Sequence, residues 1–179
     1  SDVFTVTAAD GTERDLTIAV TGVDDAPVVT GDAVASVGEN VVAGVTGSIS
    51  VTDADVADDP SFANASAAGT YGTLTVNAAG DTWTFAPNAA AQELSQDETF
   101  EEDLTLTASD GSTFTVSTTV VGDDDAPVVT GDAVALVGEN VAAGVTGAIS
   151  VTDVDVADDP SFANASAAGT YGTLTVNAA

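Results

Sequence analysis

The chain repeats itself. Residues 24–79 return as residues 124–179 with 52 of 56 positions identical, the exceptions being Ser36/Leu136, Val42/Ala142, Ser48/Ala148 and Ala54/Val154. The register reaches back to the N-terminus, where Thr5-Val6-Thr7-Ala8-Ala9-Asp10-Gly11 aligns with Thr105-Leu106-Thr107-Ala108-Ser109-Asp110-Gly111. The period is therefore 100 residues, too long for a solenoid unit and the size of one autonomous domain. Three segments are expected: the C-terminal strands of a preceding repeat (1–23), a complete repeat (24–123) and the N-terminal part of a following one (124–179). Near-identity between neighbours points to a unit valued for its number. Spacers often need that and enzymes rarely do.

Each unit must fold under a heavy electrostatic load. There are 29 acidic residues against one basic residue, Arg14, for a formal charge of −28. Almost no internal cation relieves that repulsion, so relief has to come from outside the chain. Nucleic acid is excluded as a partner, because phosphate contacts need Lys and Arg, and anionic membrane surfaces fail on the same ground. Yet 44% of residues are hydrophobic, unlike the charged, apolar-poor sequences that stay disordered. Cys and His are absent. Disulfides and thiol chemistry are ruled out, and zinc and copper lose their usual ligands. Carboxylates and carbonyls remain, the hard oxygen donors that suit calcium. No apolar run reaches the roughly 18 residues of a membrane-spanning helix.

The texture within a unit is β. Period-two alternation marks Phe4/Val6/Ala8, Leu16/Ile18/Val20, Ile49/Val51, Leu74/Val76, Trp83/Phe85, Leu104/Leu106/Ala108 and Phe114/Val116, with Thr and Ser at many of the outward positions. Turn signals separate these runs at Asp10-Gly11, Gly31-Asp32, Gly69-Thr70, Gly80-Asp81 and Asp110-Gly111. Residues 86–97 allow a loop with one helical turn. About seven short strands per 100 residues predict an all-β chain of Ig-like, antiparallel β-sandwich repeats in tandem. Borders fall at 22–27 and 122–127, where an apolar strand meets an acidic cluster and then a proline. The linker is short and predicted to be stiff.

Acidic residues gather at turns and borders: Asp24-Asp25, Glu39, Asp53-x-Asp55-x-x-Asp58-Asp59, Asp97-Glu98, Glu101-Glu102-Asp103, Asp110 and Asp123-Asp124-Asp125. Asp-x-Asp at a strand end puts two carboxylates on one side, at a separation that one ion bridges. Calcium takes about 6–8 oxygens, and a border is where loops from two units converge. A haloadapted surface would instead scatter carboxylates over strand faces.

Gly38-Glu39-Asn40, Asp53-Ala54-Asp55, Ala108-Ser109-Asp110-Gly111 and Asp123-Asp124-Asp125-Ala126-Pro127 resemble, in order, the P-E-N, D-x-D, A-x-D-G and D-x-N-D-N-A-P calcium motifs of cadherin repeats. The chain is more similar still to the VCBS/cadherin-like repeats of giant bacterial RTX-type adhesins. Their opening, middle, Trp strand and ending match residues 25–32, 69–76, 80–85 and 104–111. The resemblance implies a calcium-rigidified extender at the bacterial cell surface, folding once exported. It implies that Glu39 binds calcium together with Asp123, Asp124 and Asp125, and that Asp153 and Asp155 close the site from the next unit. It gives Asp24, Asp25, Asp53, Asp55 and Asp110 the same roles one border earlier. Asp58 and Asp59 extend that acidic set, and Glu139 is the copy of Glu39. The family's D-R-E motif has no clean equivalent; Asp97-Glu98 is the nearest substitute. The linker carries Asp where cadherins have Asn.

Other readings make weaker use of these residues. Trp83 shares a face with Phe85 and is expected in the core rather than on a sugar platform, and Tyr71 is expected to pack as well. Asn64-Ala65-Ser66 and its copy have glycosylation spacing, and Arg14 is Phe114 in the next unit. An enzyme is not expected: paired carboxylates can hydrolyse glycosides, but calcium spacing explains the same pairs. A glycan- or surface-binding module is the alternative function. A further possibility is end-to-end pairing of chains into an extracellular filament, residues 1–23 of one copy completing 124–179 of another.

Overall fold

Alternation of apolar with Thr and Ser residues produces short strands at intervals along the chain. The structure, a computed structural model, describes residues 1–178. In chain order the strands are β1 (Asp2–Thr7), β2 (Glu13–Ile18), β3 (Val28–Gly31), β4 (Val34–Gly38), β5 (Val45–Thr52), β6 (Ser66–Ala68), β7 (Gly72–Val76), β8 (Thr82–Pro87), β9 (Thr99–Thr107) and β10 (Thr113–Val121). Then come β11 (Val128–Gly131), β12 (Ile149–Thr152), β13 (Ala165–Ala168) and β14 (Thr173–Val176). One 3-10 turn, Ala91–Glu93, lies between β8 and β9, inside the stretch expected to hold a single helical turn.

Strands β3–β10 form a sandwich of two sheets. One has the order β3-β5-β8-β7-β6 and the other β4-β10-β9. Ile49, Leu74, Trp83 and Phe85 from the first sheet meet Leu104, Leu106, Val116 and Val120 from the second, all buried, with Phe62 and Leu94 closing the ends. Burying a side chain of this size contributes about 1.5–3 kcal/mol. Trp83 is a core residue, as expected; its indole Nε1 donates to the Asp32 carbonyl at 3.0 Å. Gly47 on β5 lies under the Trp83 ring, where a Cβ would collide with the indole. Tyr71 packs as well, its ring 4.4 Å from that of Phe100.

Two details differ from the sequence expectation. The sandwich has eight strands rather than about seven, and β4 runs parallel to β10, Val34 opposite Ser117 through Gly38 opposite Val121. Both follow from Gly31-Asp32. The chain crosses there from one sheet to the other, splitting one apolar run into β3, which pairs with β5, and β4, which pairs with β10. Asp32 anchors the crossing by accepting hydrogen bonds from Ser48 N at 2.7 Å and Ser48 Oγ at 2.8 Å. A parallel pair needs a long connection, and nearly the whole sandwich lies between these two strands.

Among the described residues, the flanking segments form strand pairs that add no buried hydrophobic side chain to the core. β1 and β2 make an antiparallel hairpin exposed along its length. Downstream, β11 pairs with β12 and β13 with β14.

Candidate metal centre between successive copies of the repeat

Glu39 follows β4 directly, and two hydrogen bonds fix its backbone. Its N–H donates to the Val121 carbonyl at 2.9 Å, and Gln92 Nε2 donates to its carbonyl at 2.7 Å. The side chain is thereby aimed at the start of the linker, where Oε1 accepts the Asp123 N–H at 2.9 Å. From the downstream copy, Asp155 Oδ2 accepts the Asp125 N–H at 3.0 Å, while Asp153 Oδ1 receives the Asp155 N–H at 3.1 Å. Carboxylate oxygens of Glu39, Asp125 and Asp155 lie within 4.8 Å of one another. A second group, Asp124, Asp155 and Asp158, shares Asp155 with the first.

This arrangement is costly in the chain alone. Glu39 and Asp155 are each only 1% exposed. Glu39 Oε2 and Asp155 Oδ1 are buried with no hydrogen-bond partner, and a buried polar atom left unpaired costs about 1–3 kcal/mol, more if charged. Like charges at such distances repel by roughly 1–4 kcal/mol per pair, depending on solvent access. Burial pushes the Glu39 carboxyl above its usual range, and the charges of Asp125, Asp155 and Asp123 add to that; the Asp123 N–H works against it. A hard cation would satisfy both orphaned oxygens and cancel the repulsion, so the residues present fit one.

At the upstream border the same sequence builds an open version. Asp25 N–H donates to Asp55 Oδ2 at 2.7 Å and Asp55 N–H to Asp53 Oδ1 at 2.8 Å. Asp24, Asp55 and Asp58 form a third close group. Around it is an open cleft of about 820 Å³, lined in part by Asp24, Asp25, Asp53, Asp58, Asp59 and Asp110. Asp110 reaches it from the β9–β10 turn; hydrogen bonds from Ser112 hold its carboxyl below the usual range. Asp55 is half-buried where Asp155 is buried, and the difference comes from the Glu39 end of the sandwich facing Asp155.

The remaining expected ligands fall elsewhere. Asp97 and Glu98 lie outside all three groups: Asp97 takes a left-handed conformation, φ 64°, and Glu98 Oε2 accepts the Ser95 N–H of its own turn. Glu139 is exposed on the downstream copy and joins none of them. Sequence reasoning passed over Asp158, although its copy Asp58 was singled out. It also passed over Glu102 as an individual residue. Even-numbered residues of β9 face inward from Glu102 to Leu106, so strand parity would have placed Glu102 in the core. There its Oε1 accepts the Thr70 and Tyr71 N–H groups, while Oε2 is buried and unpartnered.

An Ig-type sandwich whose carboxylates converge with those of its own following copy defines a class, the tandem structural repeat joined through acidic borders. The family model of the bacterial cadherin-like domain matches residues 24–122, more than half of the chain, and the chain belongs to that family. Its domains are structural, adhesion-type repeats, typically extracellular and usually calcium-binding. No curated protein matches the chain. Among the described residues, no helix is long and apolar enough to cross a membrane.

Proposed function

We propose that this chain is part of a calcium-stiffened extender in a bacterial surface adhesin, of the VCBS/RTX kind that its motifs resemble. One observation carries the reading: Glu39 and Asp155, from successive copies of the repeat, each bury an unpaired carboxylate oxygen in one shared group with Asp125. Glu39, Asp125 and Asp155 would hold one ion, and Asp124, Asp155 and Asp158 a second. Bound calcium supplies positive charge and about 6–8 coordination positions for oxygen. Glu39 contributes from the end of β4 and Asp155 from the loop after β12, so neutralising them together ties one copy to the next and sets the angle between them. Without a cation, the same carboxylates push the copies apart. Binding is then coupled to order, and free ion raises stability by mass action. A chain of this kind stays loose at the low calcium of a cytosol and stiffens after export.

Calorimetry and small-angle X-ray scattering of the 179-residue chain test the reading. A chelator should sharply lower the melting temperature and enlarge the radius of gyration relative to millimolar calcium. If neither quantity moves, the calcium mechanism is wrong.

A further inference from the structure

The two copies of residues 53–59 form one short motif in two settings. In each, the Asp58 or Asp158 N–H closes a turn onto the carbonyl of Asp55 or Asp155, at 2.9 and 3.0 Å. Upstream, Val56 at the second position of this turn is 103% exposed; downstream, Val156 is 75% exposed. The neighbour that reaches the backbone of this downstream turn is the loop between β8 and β9. Val156 N–H donates to the Glu93 carbonyl at 3.2 Å, and Ala157 N–H to Ser95 Oγ at 3.3 Å. Neither bond involves a carboxylate. The loop also holds Glu39 from behind, through Gln92, and it is pinned to the sandwich by Ala91 and Leu94, both buried.

We infer that the β8–β9 loop is a docking surface for the next copy of the repeat, gripping its Asp155–Asp158 turn by direct hydrogen bonds that need no metal. The partner is another copy of this unit, because the N–H groups that reach Glu93 and Ser95 belong to the following copy. The clasp favours the acidic group: Gln92 holds Glu39 and the Glu93 carbonyl holds Val156 from one loop anchored by Ala91 and Leu94, so the ligands from both copies are drawn toward each other without an ion. This role accounts for a loop whose own Asp97 and Glu98 join no carboxylate group. The inference builds on the proposed junction between copies but not on calcium.

Proline at position 156 provides the test. It removes the N–H that reaches Glu93, and it occupies the second position of a turn, where its fixed φ is at home. Val56→Pro places the same residue in the same turn where no neighbour docks. The chain has no cysteine, so Thr75→Cys and Thr130→Cys, both exposed strand positions, accept spin labels cleanly. Pulsed dipolar spectroscopy then reads the spread of distances between the copies. In chelator, the otherwise unaltered chain and Val56→Pro should show equal spreads of distance, and Val156→Pro a clearly broader one. Equal spreads in chelator for Val156→Pro and the unaltered chain would overturn the clasp, as would a Val56→Pro chain that broadens as much as Val156→Pro. Calcium should narrow all three distributions. Should it narrow none, the calcium reading fails while the comparison in chelator still decides the clasp.

Discussion

At the scale of single residues, Glu39 has opposite effects in the two ionic states. In chelator its buried charge is a liability, and in calcium it is a ligand. Glu39→Gln should therefore raise the melting temperature in chelator at neutral pH and weaken calcium binding on the order of tenfold, since ligand charge sets such affinities; calorimetric titration and thermal melts read both. The pH dependence carries the same sign. The folded-state carboxyl titrates above its usual value of 4.5. Folding is therefore least opposed by this group below that value, and the contribution is lost as pH rises through the raised pKa. Asp10, Asp32, Asp81 and Asp110 are shifted the other way, below 3.8, by local hydrogen bonds. Their contributions are present above that value and lost as the pH falls below it, so the two windows do not overlap. In chelator, the stability gap between Glu39→Gln and the unaltered chain should open as the pH rises above the ordinary carboxyl value of 4.5. A gap constant with pH would mean that Glu39 is not the group responsible.

At the scale of elements, the sandwich is latched by a carboxylate within its core. Glu102 on β9 crosses to the other sheet and accepts two N–H groups from the turn between β6 and β7, at Thr70 and Tyr71. Gly69 makes room, since a Cβ there would strike the Glu102 carboxyl. Glu102→Ala should cost about 1–3 kcal/mol by removing the charged acceptor of the Thr70 and Tyr71 N–H groups, and Gly69→Ala a similar amount by overpacking. Both substitutions break one contact, so the double variant should fall short of the sum by about 0.5 kcal/mol or more in denaturant unfolding. Strand alternation made most of this fold legible. Leu104, Leu106 and Trp83 face inward as their period requires; the short strand β6 carries no such alternation, and the turn at Gly31-Asp32 was legible but not its crossing between sheets. That crossing depends on where β10 (Thr113–Val121) lies, far along the chain, and no local pattern carries such information.

At the scale of the whole molecule, net charge of −28 on 179 residues opposes compactness everywhere, while the orphaned oxygens oppose it at one place. Sodium chloride screens the first, with a Debye length near 10 Å at 0.1 M, but a monovalent ion gathers few carboxylates. Melting temperature in chelator should climb gradually over hundreds of millimolar salt, whereas calcium should reach its effect at far lower concentration. Matched curves at equal ionic strength would mean that the charge acts only diffusely. The acidic border was legible in the sequence because Asp-x-Asp and the linker aspartates are contiguous; strand parity carried the inward face of Glu102, and only the neighbouring copy shows which acidic group Asp158 joins. The repeat separates the two kinds of information directly. Val28–Gly31 pairs with Ile49–Thr52 and Val128–Gly131 with Ile149–Thr152 in identical register. Local alternation and turn chemistry were enough for that, since each pair lies close along the chain. Leu74 is fully buried where Leu174 is 69% exposed, and Ile49 is 1% exposed where Ile149 is 46% exposed. Val34–Gly38 is a strand against β10 while its copy at 134–138 is not. Burial, and with it the raised Glu39 carboxyl and the closed acidic group, came from surfaces that only distant segments supply. Apolar area and charge repulsion acquire their energies from whatever lies opposite, and identical residues facing different neighbours are not in the same environment.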